Sequence, residues 1–158
     1  MDSKEKYLKS FEEFEEKQNQ EPIELKESEF VDLKELINGL TYSTVEIYDS
    51  IRDREMRLVS DGNRCELSLR SEFIPLQTLV IKNIVFTPKQ KGIGSKVLSW
   101  LINYSVSKGF DRIVLENVNT DEGLNFAKSK GFTKCYNPSS EFFPILNDEL
   151  MGDYQLEL

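Results

Sequence analysis

Apolar positions change their period twice along this chain. Tyr7, Phe11 and Phe14 stand three or four apart with glutamates on the opposite face, which predicts an amphipathic helix over residues 3–18 behind the cap Ser3. "QNQEP" ends it. Phe30, Leu33, Ile37 and Leu40 repeat the spacing and predict a second helix, capped by Ser28 and stopping near Gly39. From Tyr42 the period falls to two. Val45 and Ile47, then Met56 and Leu58, then Cys65, Leu67 and Leu69 alternate with polar neighbours, as in strands with one wet face. "SDGNR" at 60–64 places Asp-Gly between two such runs and predicts a hairpin of 54–60 with 64–71.

The second half has a different grammar. "LQTLVIKNIVFT" alternates less, as expected of a central strand covered on both faces. Beyond it, Ile93, Val97, Trp100, Leu101 and Tyr104 form a helical stripe that ends at "SKGF", where Gly109 can take the left-handed stop conformation. "DRIVLENVN" reads as a buried strand, Asp121 opens a short helix through Ser129, and "FTKCY" and "YQLEL" read as final strands. No repeat or linker interrupts the pattern.

The 158 residues suit one domain over 1–158, and 39% hydrophobic with 30% charged residues is the composition of a folded protein. Twenty basic residues against 28 acidic give a net charge of −8, which disfavours nucleic acid and anionic membrane and suits a cationic partner. Histidine is absent, which excludes histidine-dependent hydrolase triads, and Cys65 and Cys135 make no zinc pattern, so no metal is expected. The start is too acidic for a targeting peptide and no apolar run has membrane-spanning length; a cytoplasmic location is expected.

Against this acidic background "KQKGIGSK", residues 89–96, is purely basic and lies between a strand and a helix. Such a turn gathers backbone N–H groups at the positive end of a helix dipole, where phosphate fits. Val97 stands where a dinucleotide fingerprint needs its third glycine, and no glycine precedes Gly92 at P-loop spacing, so neither motif applies. A pyrophosphate across the turn, with Lys89, Lys91 and Lys96 supplying charge, remains; the plainer reading is an ordinary turn with solvated lysines.

From Ile84 to Phe132 the chain resembles the acyl-CoA-binding core of the GNAT superfamily of N-acyltransferases. The shared pattern is strand, Arg/Gln-x-x-Gly-x-Gly/Ala, helix, strand, and a helix ending in "GF". The resemblance implies an α/β fold: a mixed, mostly antiparallel sheet flanked by helices and splayed open between 78–87 and 112–118. It implies acetyl-CoA as co-substrate, with pantetheine along the backbone of Val85, Phe86 and Thr87. The pyrophosphate would lie on the amides of Gln90, Lys91, Gly92, Ile93, Gly94 and Ser95, and the acyl-CoA-binding core would span 78–132. The sequence departs from the family in three places. Lys89 begins the glycine motif, with Gln90 one place late. Ala127 occupies the position of the family's proton-donating tyrosine. Thr120 and Gly123 stand where asparagine and alanine are common, with Asn119 adjacent.

Acetyl transfer to an amine needs a polarised carbonyl, a deprotonated amine and a proton for the leaving thiolate. A backbone N–H of Val85 or Phe86 can serve the first need. Glu116, facing the opening, leads as general base, with Glu72 and Glu46 in reserve; its plainer role is a strand-end hydrogen bond. Tyr136 is the nearest substitute donor and Tyr154 a second, while Cys135 reads as a buried thiol. The function expected is therefore N-acetylation of a primary amine on a small molecule or peptide. The alternative is a catalytically weak or inactive coenzyme A-binding or protein-interaction module.

Overall fold

The computed structural model describes residues 20–50, 52, 54–73, 75–89, 92–135 and 152–158. The expected helix over 3–18, and Gln90, Lys91 and Tyr136, lie outside them. The strands are β1 (Val45–Ser50), β2 (Glu55–Ser60), β3 (Cys65–Phe73), β4 (Gln77–Phe86), β5 (Arg112–Leu115), β6 (Thr133–Lys134) and β7 (Tyr154–Glu157). They form one sheet in the order β1-β2-β3-β4-β5-β7-β6. Only β4 and β5 run parallel among these pairs; the rest are antiparallel. Helices α1 (Val31–Thr41), α2 (Ile93–Lys108) and α3 (Asp121–Ser129) flank it. This is the mixed, mostly antiparallel α/β architecture expected. No helix among the described residues is long and apolar enough to cross a membrane.

The period-two runs fold as strands because alternate residues reach one core: Val45, Met56, Leu58, Leu67 and Leu69 are fully buried. The β2–β3 hairpin turns at Gly62, whose φ of 73° suits glycine, and Ser60 Oγ accepts the Cys65 N–H at 2.9 Å. Against the same core, Phe30 packs on the stacked pair Trp100 and Tyr104, with ring centroids 5.8 and 4.9 Å away.

That contact moves the start of α1. Ser28 is exposed and does not cap it; a single 3₁₀ turn, Glu27–Phe30, leads into the helix, and the Lys26 N–H donates to Glu29 Oε2 at 3.4 Å. Glu29 is drawn inward by Tyr104 and Lys108, whose Oη and Nζ donate to it at 2.9 and 2.6 Å. The helix also runs past Gly39 and stops where Tyr42 turns left-handed, at φ 52°, its N–H donating to the Asn38 carbonyl at 3.0 Å. The Asn38 side chain meanwhile accepts the Val45 N–H at 2.8 Å, so the helix end and the start of β1 are fixed together.

β4 is covered on both faces only over Thr78–Ile81, which are at most 3% exposed. There it pairs with β5, from Thr78 opposite Arg112 to Ile81 opposite Leu115. β5 is shorter than the nine residues expected. Glu116 still donates its N–H to the Ile81 carbonyl at 3.0 Å, but Asn117 takes a left-handed φ of 55° and gives its N–H to Asp153 Oδ1 at 2.8 Å. Val118 then bonds to the Gly152 carbonyl at 2.8 Å, away from β4. On the other side, β4 carries a bulge: Ser68 of β3 faces Asn83 while Leu69 faces Ile81, so Lys82 is the extra residue. The two strands bend apart from the same level.

Candidate functional site

The strand opening is a groove of about 610 Å³. One wall is β4 from Ile81 to Phe86 and the other runs from Leu115 through Glu116 to Thr120. Gly92 to Ser95, at the start of α2, and Phe126 of α3 close one end.

Strand alternation decides which backbone groups face this groove. Thr87 donates its N–H to the Arg64 carbonyl at 2.7 Å, and Cys65 stands opposite Phe86. In antiparallel pairing the peptide groups of successive residues point to opposite sides, so Val85 turns its N–H and C=O to β3 while Ile84 and Phe86 turn theirs to the opening. Phe86 thus turns its N–H to the groove. Val85 contributes a side chain, 39% exposed, to the groove, and the Thr87 N–H is already engaged. Ile84 escaped the sequence reading, because the facing parity depends on a bulge that no sequence signal marked.

The glycine turn is formed as its residues require. Gly92 adopts φ 70° as the N-cap of α2, a conformation costly for residues with a Cβ, and it offers no side chain to cap the helix. Among the described residues no side chain caps this helix start, and Gly92 to Ser95 line the groove. Gly94 faces α3, where a Cβ would lie 3.4 Å from the Phe126 ring. Lys89 lines the groove and pairs with Glu122 at 3.4 Å, both well exposed. Lys96 is exposed on α2 and its side chain does not line the groove; Asn119 does. Thr120 caps α3, its Oγ1 accepting the Gly123 N–H at 3.1 Å.

Glu116 lines this groove and also a second cavity of about 440 Å³. The second cavity lies on the other sheet face, lined by the residues that alternate with the core positions: Thr78 and Val80 of β4, Arg112 and Val114 of β5, and Gln155 of β7. Arg70 and Glu72 of β3 with Cys135 and Asp153 complete it. Here Arg70 Nη2 contacts Glu116 Oε1 at 2.8 Å and Glu72 Oε1 at 2.6 Å, and Arg70 Nε donates to the same Glu72 oxygen at 2.7 Å. Arg112 donates from Nε to Thr78 Oγ1 at 2.9 Å and from Nη1 to Gln155 Oε1 at 3.0 Å.

The other candidates separate clearly. Glu72 belongs to the second cavity. Glu46 is exposed on the edge strand β1, with β2 and β3 between it and the opening, and pairs with Lys34 at 3.4 Å, so it is not part of the site. Tyr154 is a core residue at 3% exposure, and none of the described tyrosines lines either cavity. Ala127 is fully buried in the core, while its neighbour Phe126 faces the groove. Cys135 is held protonated: burial raises its thiol, Asp153 adds to this, and Arg112 only partly offsets them. No group of three or more metal-ligating side chains occurs among the described residues.

No protein-family model and no curated protein matches the chain. Solved structures resemble it at low identity. A GNAT family acetyltransferase from Elizabethkingia anophelis with acetyl-CoA bound is 20% identical, with 66% of this chain and 76% of that one covered and a TM-score of 0.46. An acetyltransferase from Streptococcus agalactiae is 19% identical over 86% of this chain and 80% of its own, at 0.48. An IAA acetyltransferase from Bacillus cereus is 18% identical over 66% and 78%, also at 0.48. These likenesses are too distant to assign a family, and the functional reading rests on the site.

Proposed function

We propose that this protein transfers the acetyl group of acetyl-CoA to a primary amine. The observation that carries the reading is the strand opening between β4 and β5, with the uncapped amides of α2 at its end. An extended pantetheine arm can hydrogen-bond to Ile84 and Phe86 as an added strand does. The amides from Gly92 to Ser95, together with Lys89, suit a pyrophosphate. Asn119 stands on the opposite wall, and Gln90, Lys91 and Lys96 are assigned to the phosphates from the sequence alone.

The acceptor amine reaches Glu116 from the second cavity, whose volume suits a small polar amine or the end of a peptide. Glu116 takes the ammonium proton, directly or through water, and the Phe86 N–H stabilises the charge that develops on the carbonyl oxygen. The amine nitrogen bonds to the acetyl carbon as the carbon–sulfur bond breaks, and Tyr136 gives its proton to the thiolate. The second proton that the nitrogen sheds restores the Tyr136 hydroxyl through solvent, while the proton held by Glu116 passes to bulk water. Cys135, protonated, takes no part as a nucleophile.

Calorimetry with acetyl-CoA and thiol release over a panel of amines test the proposal. Binding accompanied by turnover with at least one amine is the expected result. Binding without turnover on any amine identifies a coenzyme A-binding module instead, and no binding at all overturns both.

A further inference from the structure

Arg70 stands on β3, and Glu116 immediately follows β5; β4 lies between these strands. Their contact at 2.8 Å therefore reaches across β4 at the level where β4 and β5 part. It uses one carboxylate oxygen. Glu116 Oε2 has no hydrogen-bond partner among the described residues, while Oε1 is held by the guanidinium. Arg70 is in turn fixed by Glu72, whose Oε1 accepts from Nε and lies 2.6 Å from Nη2. All three side chains are about one-quarter to one-third exposed, at 26%, 36% and 32% for Arg70, Glu72 and Glu116.

A carboxylate that serves as a base must present one oxygen in a fixed direction, and a glutamate side chain has three rotatable bonds to fix. The Arg70 contact removes most of that freedom and leaves Oε2 as the oxygen able to accept a proton where the two cavities meet. An ammonium ion in place of the guanidinium lacks the planar donor array that engages both carboxylates at once.

We propose that Arg70 is a positioning residue for the transfer reaction: it pins Glu116 Oε1 so that Oε2 faces the acceptor amine, and Glu72 locks Arg70 in that pose. This rests on the reading of Glu116 as the base, and acts through Glu116 rather than on either substrate.

The test uses the full chain, acetyl-CoA and the best amine of the panel. Glu116→Gln comes first: if it turns over like the wild type, the reading of Glu116 as base fails and this proposal fails with it. Given a loss in that variant, Arg70→Met is expected to lower kcat about 10-fold or more with acetyl-CoA affinity unchanged by calorimetry. Arg70→Lys should recover part of the loss. The double variant Arg70→Met with Glu116→Gln should be no slower than Glu116→Gln alone, because a residue acting through Glu116 has nothing left to position. A wild-type kcat in Arg70→Met overturns the positioning role while leaving Glu116 as base. A further multiplicative loss in the double variant also overturns it, since a merely structural arginine would act independently of Glu116.

Discussion

The Glu116 N–H donates to the Ile81 carbonyl at 3.0 Å, and beyond that bond β4 and β5 no longer pair. Every feature of the proposed site is arranged about this point. The bulge at Lys82 bends one strand and the left-handed Asn117 turns the other, so the opening is fixed from both sides. The Glu116 side chain is left where the two cavities meet.

Gly92→Asp and Gly94→Asp should each weaken acetyl-CoA binding roughly tenfold or more, because a carboxylate is placed where the pyrophosphate is to lie. An aspartate in the first turn of a helix is favourable to the helix itself. Gly92 has open space for a Cβ, but its φ of 70° adds a cost of about 1–2 kcal/mol. Both variants should therefore fold, Gly92→Asp with the lower melting temperature. Unchanged affinity in calorimetry for both variants counts against the phosphate site.

Glu122 sits on the groove and holds Lys89 at 3.4 Å. Its charge repels phosphate and competes for the lysine, so Glu122→Gln should tighten acetyl-CoA binding several-fold at low salt. Neutralising Lys89, Lys91 and Lys96 together should weaken binding and flatten its salt dependence. Titrations at two ionic strengths read both effects; a wild-type affinity indifferent to salt would place the phosphates elsewhere.

Ala127→Tyr would place a tyrosine where the resembled superfamily commonly carries one, yet Ala127 is fully enclosed by the core. The added ring has no groove to enter from there, and overpacking should cost about 1–3 kcal/mol or more. A lower melting temperature without faster turnover is expected. Faster turnover at wild-type stability would show that the side chain reaches the groove after all.

Acid should loosen the tie between the N-terminal turn and α2. Burial alone would raise the Glu29 carboxyl, but hydrogen bonds from Lys108, Tyr104 and the Lys26 backbone, with the Lys108 charge, outweigh it and hold it below its usual value of 4.5. A group depressed on folding contributes stability above its unfolded pKa and loses it as pH falls through the folded one. Glu29→Gln should thus be less stable than wild type near neutrality, with the difference shrinking below about pH 4. At the other extreme, burial and the Glu29 charge raise the Tyr104 hydroxyl, so its contribution is present below its unfolded pKa and falls away at strongly alkaline pH. Urea denaturation across pH measures both limbs.

The sequence by itself determined the elements. The period-two runs, the Asp-Gly hairpin, the α2 stripe closed by a left-handed Gly109 and the short α3 all depend on local spacing and on residues with particular φ preferences. The glycine turn was equally legible, because a strand, a glycine with positive φ and a helix start are neighbours in the chain. Only the tertiary structure decided where elements end and which way their groups face. Phe30 and Glu29, drawn to α2, moved the start of α1; Asp153 and Gly152, 36 and 34 residues beyond Asn117 and Val118, cut β5 short. Glu116 already led in the sequence, but excluding Glu46 required the strand order, and finding Arg70 required the register that brings β3 within reach of the end of β5. Periodicity reports which residues share a face, whereas contacts between residues distant in the chain depend on packing, which no local pattern encodes.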